Sequence, residues 1–223
     1  MFYLLYLYFA DFAQEYPLLN LLQYQTVRVG LALLTGLFVA IAMGSRFIDW
    51  MRSKQGRGQP IRKDGPASHL QTKQGTPTMG GLMILAGVFA GTLLWADLTN
   101  IYVWVVLFVT GAYGLLGFLD DYDKVTKQHH AGLTGKQKLV AQFAVAIVAA
   151  AILVAFAPVS PTSPNLQTSI AFPFFKAVLL NLGWFYVAFA AFTIVGFSNA
   201  VNLTDGLDGL AIVPVMMAAA AFG

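Results

Sequence analysis

Three stretches hold most of the chemistry this sequence could perform. GFLDDYDK, residues 117–124, ends an apolar run on Asp120, Asp121 and Asp123. FSNAVNLTDGLDGLA, residues 197–211, places an amide or an acid at every third position: Asn199, Asn202, Asp205 and Asp208. RKDGPASHLQTKQGTPTMGG, residues 62–81, mixes Lys73, Thr76 and Thr78 with glycines.

In the first stretch the sign of the charge needs explaining. The C-terminal end of a helix carries partial negative charge and favours cations, and the cytoplasmic end of a membrane span favours Lys and Arg. Consecutive aspartates oppose both preferences. One account is a solvated helix end with Lys124 as counter-ion. The other is a site needing carboxylates at the membrane surface, either to hold a hard cation through oxygen ligands or to move a proton. Neighbouring helical positions point about 100° apart, so Asp120 and Asp121 are expected to do different work.

In the second stretch, a three-residue repeat on an unbroken helix turns each group about 60° from the last. A break at Gly206 or Gly209 would turn the later carboxylate back toward a common site, since glycine adopts backbone angles other residues avoid. The alternative is a polar turn built from Asn, Asp and Gly. In the third stretch, glycine N–H groups with Lys73, Thr76 and Thr78 could cradle phosphate, although the Walker spacing is absent and, for this stretch alone, a solvated basic connector that obeys the positive-inside rule is the better account. His69, His129 and His130 have no partners at metal-ligand spacing and read as surface residues.

These stretches must be positioned by membrane-spanning helices. The chain has 223 residues, of which 58% are hydrophobic and 10% charged, against about 25% charged in a soluble domain. Apolar runs predict spans near residues 24–48, 79–96, 101–119, 137–157 and 177–198, with a sixth begun near 209. The glycines at 111, 114 and 117 recur at helical spacing and would let a neighbouring helix approach closely. Residues 158–166 read as a loop. The first 17 residues lack a signal peptide's basic start and cleavage site, and their tyrosines suit an interfacial helix. With no cysteine there is no disulfide framework and no thiolate metal site.

Residues 46–73 hold seven basic residues and residues 124–138 four more, together eleven of the thirteen in the chain. The alternate loops hold none, which places the N-terminus outside and all three polar stretches on the cytoplasmic face. The expected fold is therefore all-α, a polytopic transmembrane helix bundle of five spans plus a truncated sixth, forming one membrane domain over residues 1–223. Carboxylates, amides and lysines gathered at a boundary suit transfer of a phosphorylated group from a soluble donor to a lipid. A transporter would instead place polar groups near the membrane midplane. Nothing points to nucleic acid.

In combination, DGPASHLQTKQGTPTMGG, GFLDDYDKV, PFFK and NAVNLTDGLDGLA closely resemble the polyprenyl-phosphate N-acetylhexosamine-1-phosphate transferases, and within them the muramoyl-pentapeptide branch, from about residue 25 onward. The resemblance implies transfer of phospho-N-acetylmuramoyl-pentapeptide from its UDP carrier to undecaprenyl phosphate at the bacterial inner membrane, giving lipid I and UMP, with Mg²⁺. It implies that Asp120 and Asp121 are catalytic, with Asp120 deprotonating the lipid phosphate. It further implies that Asp205 and Asp208 serve the nucleotide-sugar pocket, that Gly206 and Leu207 line uracil, and that Lys73, Thr78, Lys124, Asn199 and Asn202 surround the nucleotide and its phosphates. Alternatives are a relative using UDP-N-acetylglucosamine and a non-catalytic membrane scaffold; homo-oligomerisation is left open.

The family also has further spans, a third aspartate that binds Mg²⁺ and a histidine-rich cytoplasmic motif, none of which occurs in this sequence. After Asp208 only residues 209–223 follow, too few to cross a bilayer. The expectation is that the chain is incomplete at its C-terminus, that the principal metal ligand lies outside it, and that these 223 residues alone make no lipid I.

Overall fold

The computed structural model describes residues 1–9, 16–55, 78–127, 132–159, 165–172, 174–204 and 210–222. Two compact units divide the chain, Met1–Lys138 and Leu139–Gly223.

In the first unit, α1 (Phe2–Tyr8) and the single turn α2 (Pro17–Asn20) precede α3 (Gln25–Gln55), α4 (Gly81–Trp95) and α5 (Ile101–Lys127); the first turn of α6 (Gly135–Phe156) closes it. At 1.5 Å per residue, α3 and α5 are roughly 46 and 40 Å long, more than the roughly 30 Å of hydrocarbon they must cross. Their surplus is polar: α3 ends on Arg52 and Lys54, and α5 on the aspartates and two lysines. The expected span near 79–96 forms α4, which at 15 residues is shorter than the four helices long and apolar enough to cross a membrane.

Backbone proximity fixes how α3 meets α4. A Cβ added at Gly91 would lie 2.7 Å from the Ala32 carbonyl oxygen, and one at Gly87 would lie 3.1 Å from that of Gly36. Ala32 and Gly36 sit four apart, as do Gly87 and Gly91, so each helix presents a small-xxx-small stripe to the other. Trp95 donates its indole N–H to the Thr35 hydroxyl at 2.8 Å, pinning the far end of the same seam. Of the glycines expected to face a neighbour, Gly111 lies under the Phe89 ring and Gly114 against Leu85, both on α4, while Gly117 faces open space.

The second unit contains the remainder of α6, the strands β1 (Ser169–Phe172) and β2 (Phe175–Asn181), α7 (Phe185–Thr204) and α8 (Ile212–Phe222). Its core is built of small residues, with Ala146, Ala191 and Val195 buried and Phe143 and Ile194 packed on them. Large apolar side chains such as Phe192 and Phe197 point outward instead, the reverse of a soluble protein and the arrangement lipid permits.

The fifth span was expected from residue 177, but residues 175–181 form a strand and α7 begins at Phe185. β2 pairs antiparallel with β1, Ser169 opposite Asn181 and Ala171 opposite Leu179, with an irregularity before Phe172. Apolar content alone does not separate a strand from a helix start. What decides here is the stop: the Asn181 side-chain oxygen accepts the Thr168 hydroxyl at 2.7 Å and the Gly183 N–H at 2.9 Å. Gly183, at φ +53°, then turns the chain into α7 at an angle that glycine tolerates.

Candidate active site

The polar end of α5 is built as a clamp around Asp120. Its Oδ2 accepts the ammonium groups of Lys124 and Lys138, each at 2.7 Å, and its Oδ1 accepts the Leu133 N–H at 2.8 Å. Lys124 lies one turn further along α5, whereas Lys138 lies in the first turn of α6. Its return is set by the TGKQ sequence at 134–137. The Thr134 hydroxyl oxygen accepts the Gln137 N–H at 3.3 Å, while the Gln137 side-chain oxygen accepts the Thr134 N–H at 3.1 Å. This reciprocal capping box starts α6 so that Lys138, one residue later, reaches Asp120.

Gly132 makes the approach possible. A Cβ there would run into the Asp120 carboxylate and would stand 2.8 Å from the Asp120 carbonyl oxygen. Only glycine lets the segment before α6 lie against α5.

Asp121 is set differently. Its Oδ2 accepts the Thr78 hydroxyl at 2.9 Å, and its Oδ1 lies 3.4 Å from Lys124. Gln55, at the end of α3, holds Thr78 in turn: its side-chain oxygen accepts the Thr78 N–H at 2.9 Å and its amide donates to the Thr78 carbonyl at 3.2 Å. Just beyond Thr78, Met79 adopts φ +73°, an angle uncommon for a side-chain-bearing residue, as the chain turns into α4.

The two aspartates therefore differ as their positions predict. The Asp120 side chain is 9% exposed and accepts three donors, two of them cationic; that of Asp121 is 28% exposed and accepts one hydroxyl and one distant ammonium. A carboxylate has about four lone-pair sites, so Asp120 is nearly filled and Asp121 keeps room for a further partner. The charges of Asp120, Asp121, Lys124 and Lys138 cancel.

Thr78, Asp120, Asp121 and Lys124 are thus brought together, joined by Gln55, Gly132 and Lys138, which the sequence reading did not single out. In the second unit, the half-buried Asn199 donates to the Gln142 side-chain oxygen and to the Val195 carbonyl, both at 2.8 Å, and Asn202 is exposed. Lys73, Asp205, Gly206, Leu207 and Asp208 lie outside the described residues, as do His69, His129 and His130.

Among the described residues no three acidic, imidazole or thiol groups gather as metal ligands. Two ammonium groups and the Leu133 N–H hold the Asp120 oxygens, so of the pair Asp121 alone has room for a cation. Mg²⁺ demands near-octahedral oxygen ligands at about 2.0–2.1 Å, and the described side chains as placed do not supply such a set.

Four helices are long and apolar enough to cross a membrane, and one of them carries at its polar end an aspartate pair clamped by lysines, which together define a membrane protein with a buried ionic cluster at a helix end. A sequence profile of glycosyl transferase family 4 matches residues 103–223, and signature 1 of phospho-N-acetylmuramoyl-pentapeptide-transferase matches residues 73–85. The chain belongs to glycosyl transferase family 4. It is similar, at 68% identity over all 223 residues, to a phospho-N-acetylmuramoyl-pentapeptide-transferase of Caulobacter vibrioides (strain NA1000 / CB15N), of which it covers 60%. Proteins of the same name from Caulobacter sp. (strain K31) and Maricaulis maris (strain MCS10) are 63% and 54% identical over 100% and 99% of this chain, which again covers 60% of each. The chain thus spans about 60% of the length of the curated relatives it matches.

Proposed function

We propose that this chain forms part of a single membrane domain that transfers phospho-N-acetylmuramoyl-pentapeptide from UDP to undecaprenyl phosphate, with the site facing the cytoplasm. An oxygen of the lipid phosphate attacks the phosphorus attached to the sugar, the bond to the uridylyl phosphate breaks, and UMP leaves. Such transfers need positioning and charge neutralisation more than covalent help from the protein. The observation that carries the reading is the Thr78–Asp121 hydrogen bond, which joins the matched signature to the aspartate pair.

In this reading Lys124 and Lys138 meet the phosphates, and Asp120 holds both lysines in place. Asp121, the less committed carboxylate, faces the reacting groups and is better placed than Asp120 to take the proton from the lipid phosphate. Asn199, Asn202, Lys73, Asp205, Gly206, Leu207 and Asp208 keep the nucleotide-sugar roles that the resemblance implies. Mg²⁺ stays in the proposal on the resemblance alone.

The test is a chimera in which residues 1–223 replace the matching segment of the Caulobacter vibrioides relative. Given UDP-N-acetylmuramoyl-pentapeptide, undecaprenyl phosphate and Mg²⁺, it should release UMP and transfer phospho-N-acetylmuramoyl-pentapeptide to the lipid, lose this on chelation, and give neither product with UDP-N-acetylglucosamine. Product from the second donor alone would reassign the substrate. Product from neither would leave a scaffold.

A further inference from the structure

At the other end of α3 from Gln55, about 40 Å away along the helix at 1.5 Å per residue, the first unit forms an open cavity of about 310 Å³ lined by Gln25, Arg28, Trp95, Asp97, Asn100 and Val103, among others. That volume falls at the lower end of ligand pockets, about 300–1,000 Å³. Arg28 is one of only two basic residues outside the two basic loops. Its guanidinium stands 3.7 Å from the Tyr3 ring centroid, and its Nε is buried with no hydrogen-bond partner. Asp97 lines the same cavity, yet no ion pair joins it to Arg28 among the described residues.

The other polar groups leave donors available. Asn100 accepts the Tyr102 N–H through its side-chain oxygen, so its NH₂ remains open, and Asp97 is turned by the Thr99 N–H and hydroxyl, which bond one of its two oxygens. Trp95, held by Thr35 and stacked on Phe2 at 4.8 Å, forms a rigid apolar wall. Val29, which lines the cavity, and Tyr102 leave further apolar surface exposed. One cation and one anion that line the same pocket without pairing, two amide side chains beside them and an apolar wall match a molecule carrying a phosphate and an ammonium above hydrocarbon chains. A free inorganic anion would meet Asp97 without compensation.

We propose that this cavity binds the headgroup of a zwitterionic glycerophospholipid bearing a primary ammonium, its phosphodiester on Arg28 and the amides of Gln25 and Asn100, its ammonium on Asp97. The site is separate from the aspartate pair, so it stands whether or not the transferase reading does.

The 223-residue protein, stripped of lipid in detergent, is titrated with phosphatidylethanolamine and with phosphatidylglycerol of the same chains, and bound lipid is counted by native mass spectrometry. Wild type should retain one phosphatidylethanolamine in preference to phosphatidylglycerol. Arg28→Gln should weaken both at least tenfold, and Arg28→Lys, which keeps the charge and the fold, should weaken them less. Asp97→Asn should keep phosphatidylglycerol affinity and erase the preference. No preference in wild type, or equal retention by Arg28→Gln and Asp97→Asn, overturns the proposal. Displacement of the lipid by millimolar inorganic phosphate would also overturn it, making this a site for soluble anions.

Discussion

Asp120 and Asp121 are adjacent in sequence and opposite in circumstance, and variants should separate them. Asp121→Asn removes the carboxylate with room for a partner, and in the chimera it should lower UMP release by at least about 10²-fold, the lower range for losing a general base, with the melting temperature unchanged. Asp120→Asn should lower UMP release as well, but with a fall of several degrees in melting temperature. It leaves Lys124 and Lys138, 16% and 36% exposed, facing a neutral amide in place of their shared carboxylate, and a charge-assisted hydrogen bond contributes about 1.5–3 kcal/mol, less where solvent reaches Lys138. Unchanged melting for Asp120→Asn would refute the clamp. The aspartates were legible in the sequence because carboxylates at a helix end oppose both dipole and topology. Gln55 and Lys138 were not, because their partners lie 23 and 18 residues away and each reads locally as an ordinary helix residue. Gly132 shows its role only once Asp120 stands beside it.

Among the elements, the long apolar helices were readable from hydropathy, and their ends were less so. β2 was taken for the start of a span because Val178, Leu179 and Leu180 are as apolar as a helix start, and the signal against it was the Asn181 and Gly183 stop. The small-residue seam between α3 and α4 was hidden for another reason: four-residue spacing of Ala and Gly becomes informative only when two helices are known to face each other. Its energetics can be tested with two single changes. Gly91→Ala puts a methyl 2.7 Å from the Ala32 carbonyl oxygen, a backbone atom that cannot swing away, so the helices must separate and the melting temperature should fall by several degrees. Gly30→Ala meets nothing within 4 Å and should be neutral or slightly stabilising, since alanine is about 1 kcal/mol better than glycine inside a helix. Equal effects of the two would mean that the seam carries no particular load.

For the whole molecule, the charge distribution makes the strongest claim, that the two ends of α5 lie on opposite sides of the membrane with the aspartate pair inside. Loops without Lys or Arg and loops rich in them alternate along the chain, and short-loop positive charge sets orientation. The absence of cysteine allows a direct check, since any introduced thiol is the only one present. Thr99, before α5, Lys127, at its end, and Leu166, beyond α6, are all exposed. With a membrane-impermeant maleimide on intact cells, Thr99→Cys and Leu166→Cys should label, and Lys127→Cys should label only after permeabilisation. The inverse pattern would put the aspartates on the outer face, away from any cytoplasmic UDP-sugar, and would exclude the proposed reaction however well the side chains fit it. Labelling of Lys127→Cys and Leu166→Cys from the same side would mean instead that α6 does not cross, against a length of 22 residues and a mean hydropathy of 2.7 that leave it few other places to lie.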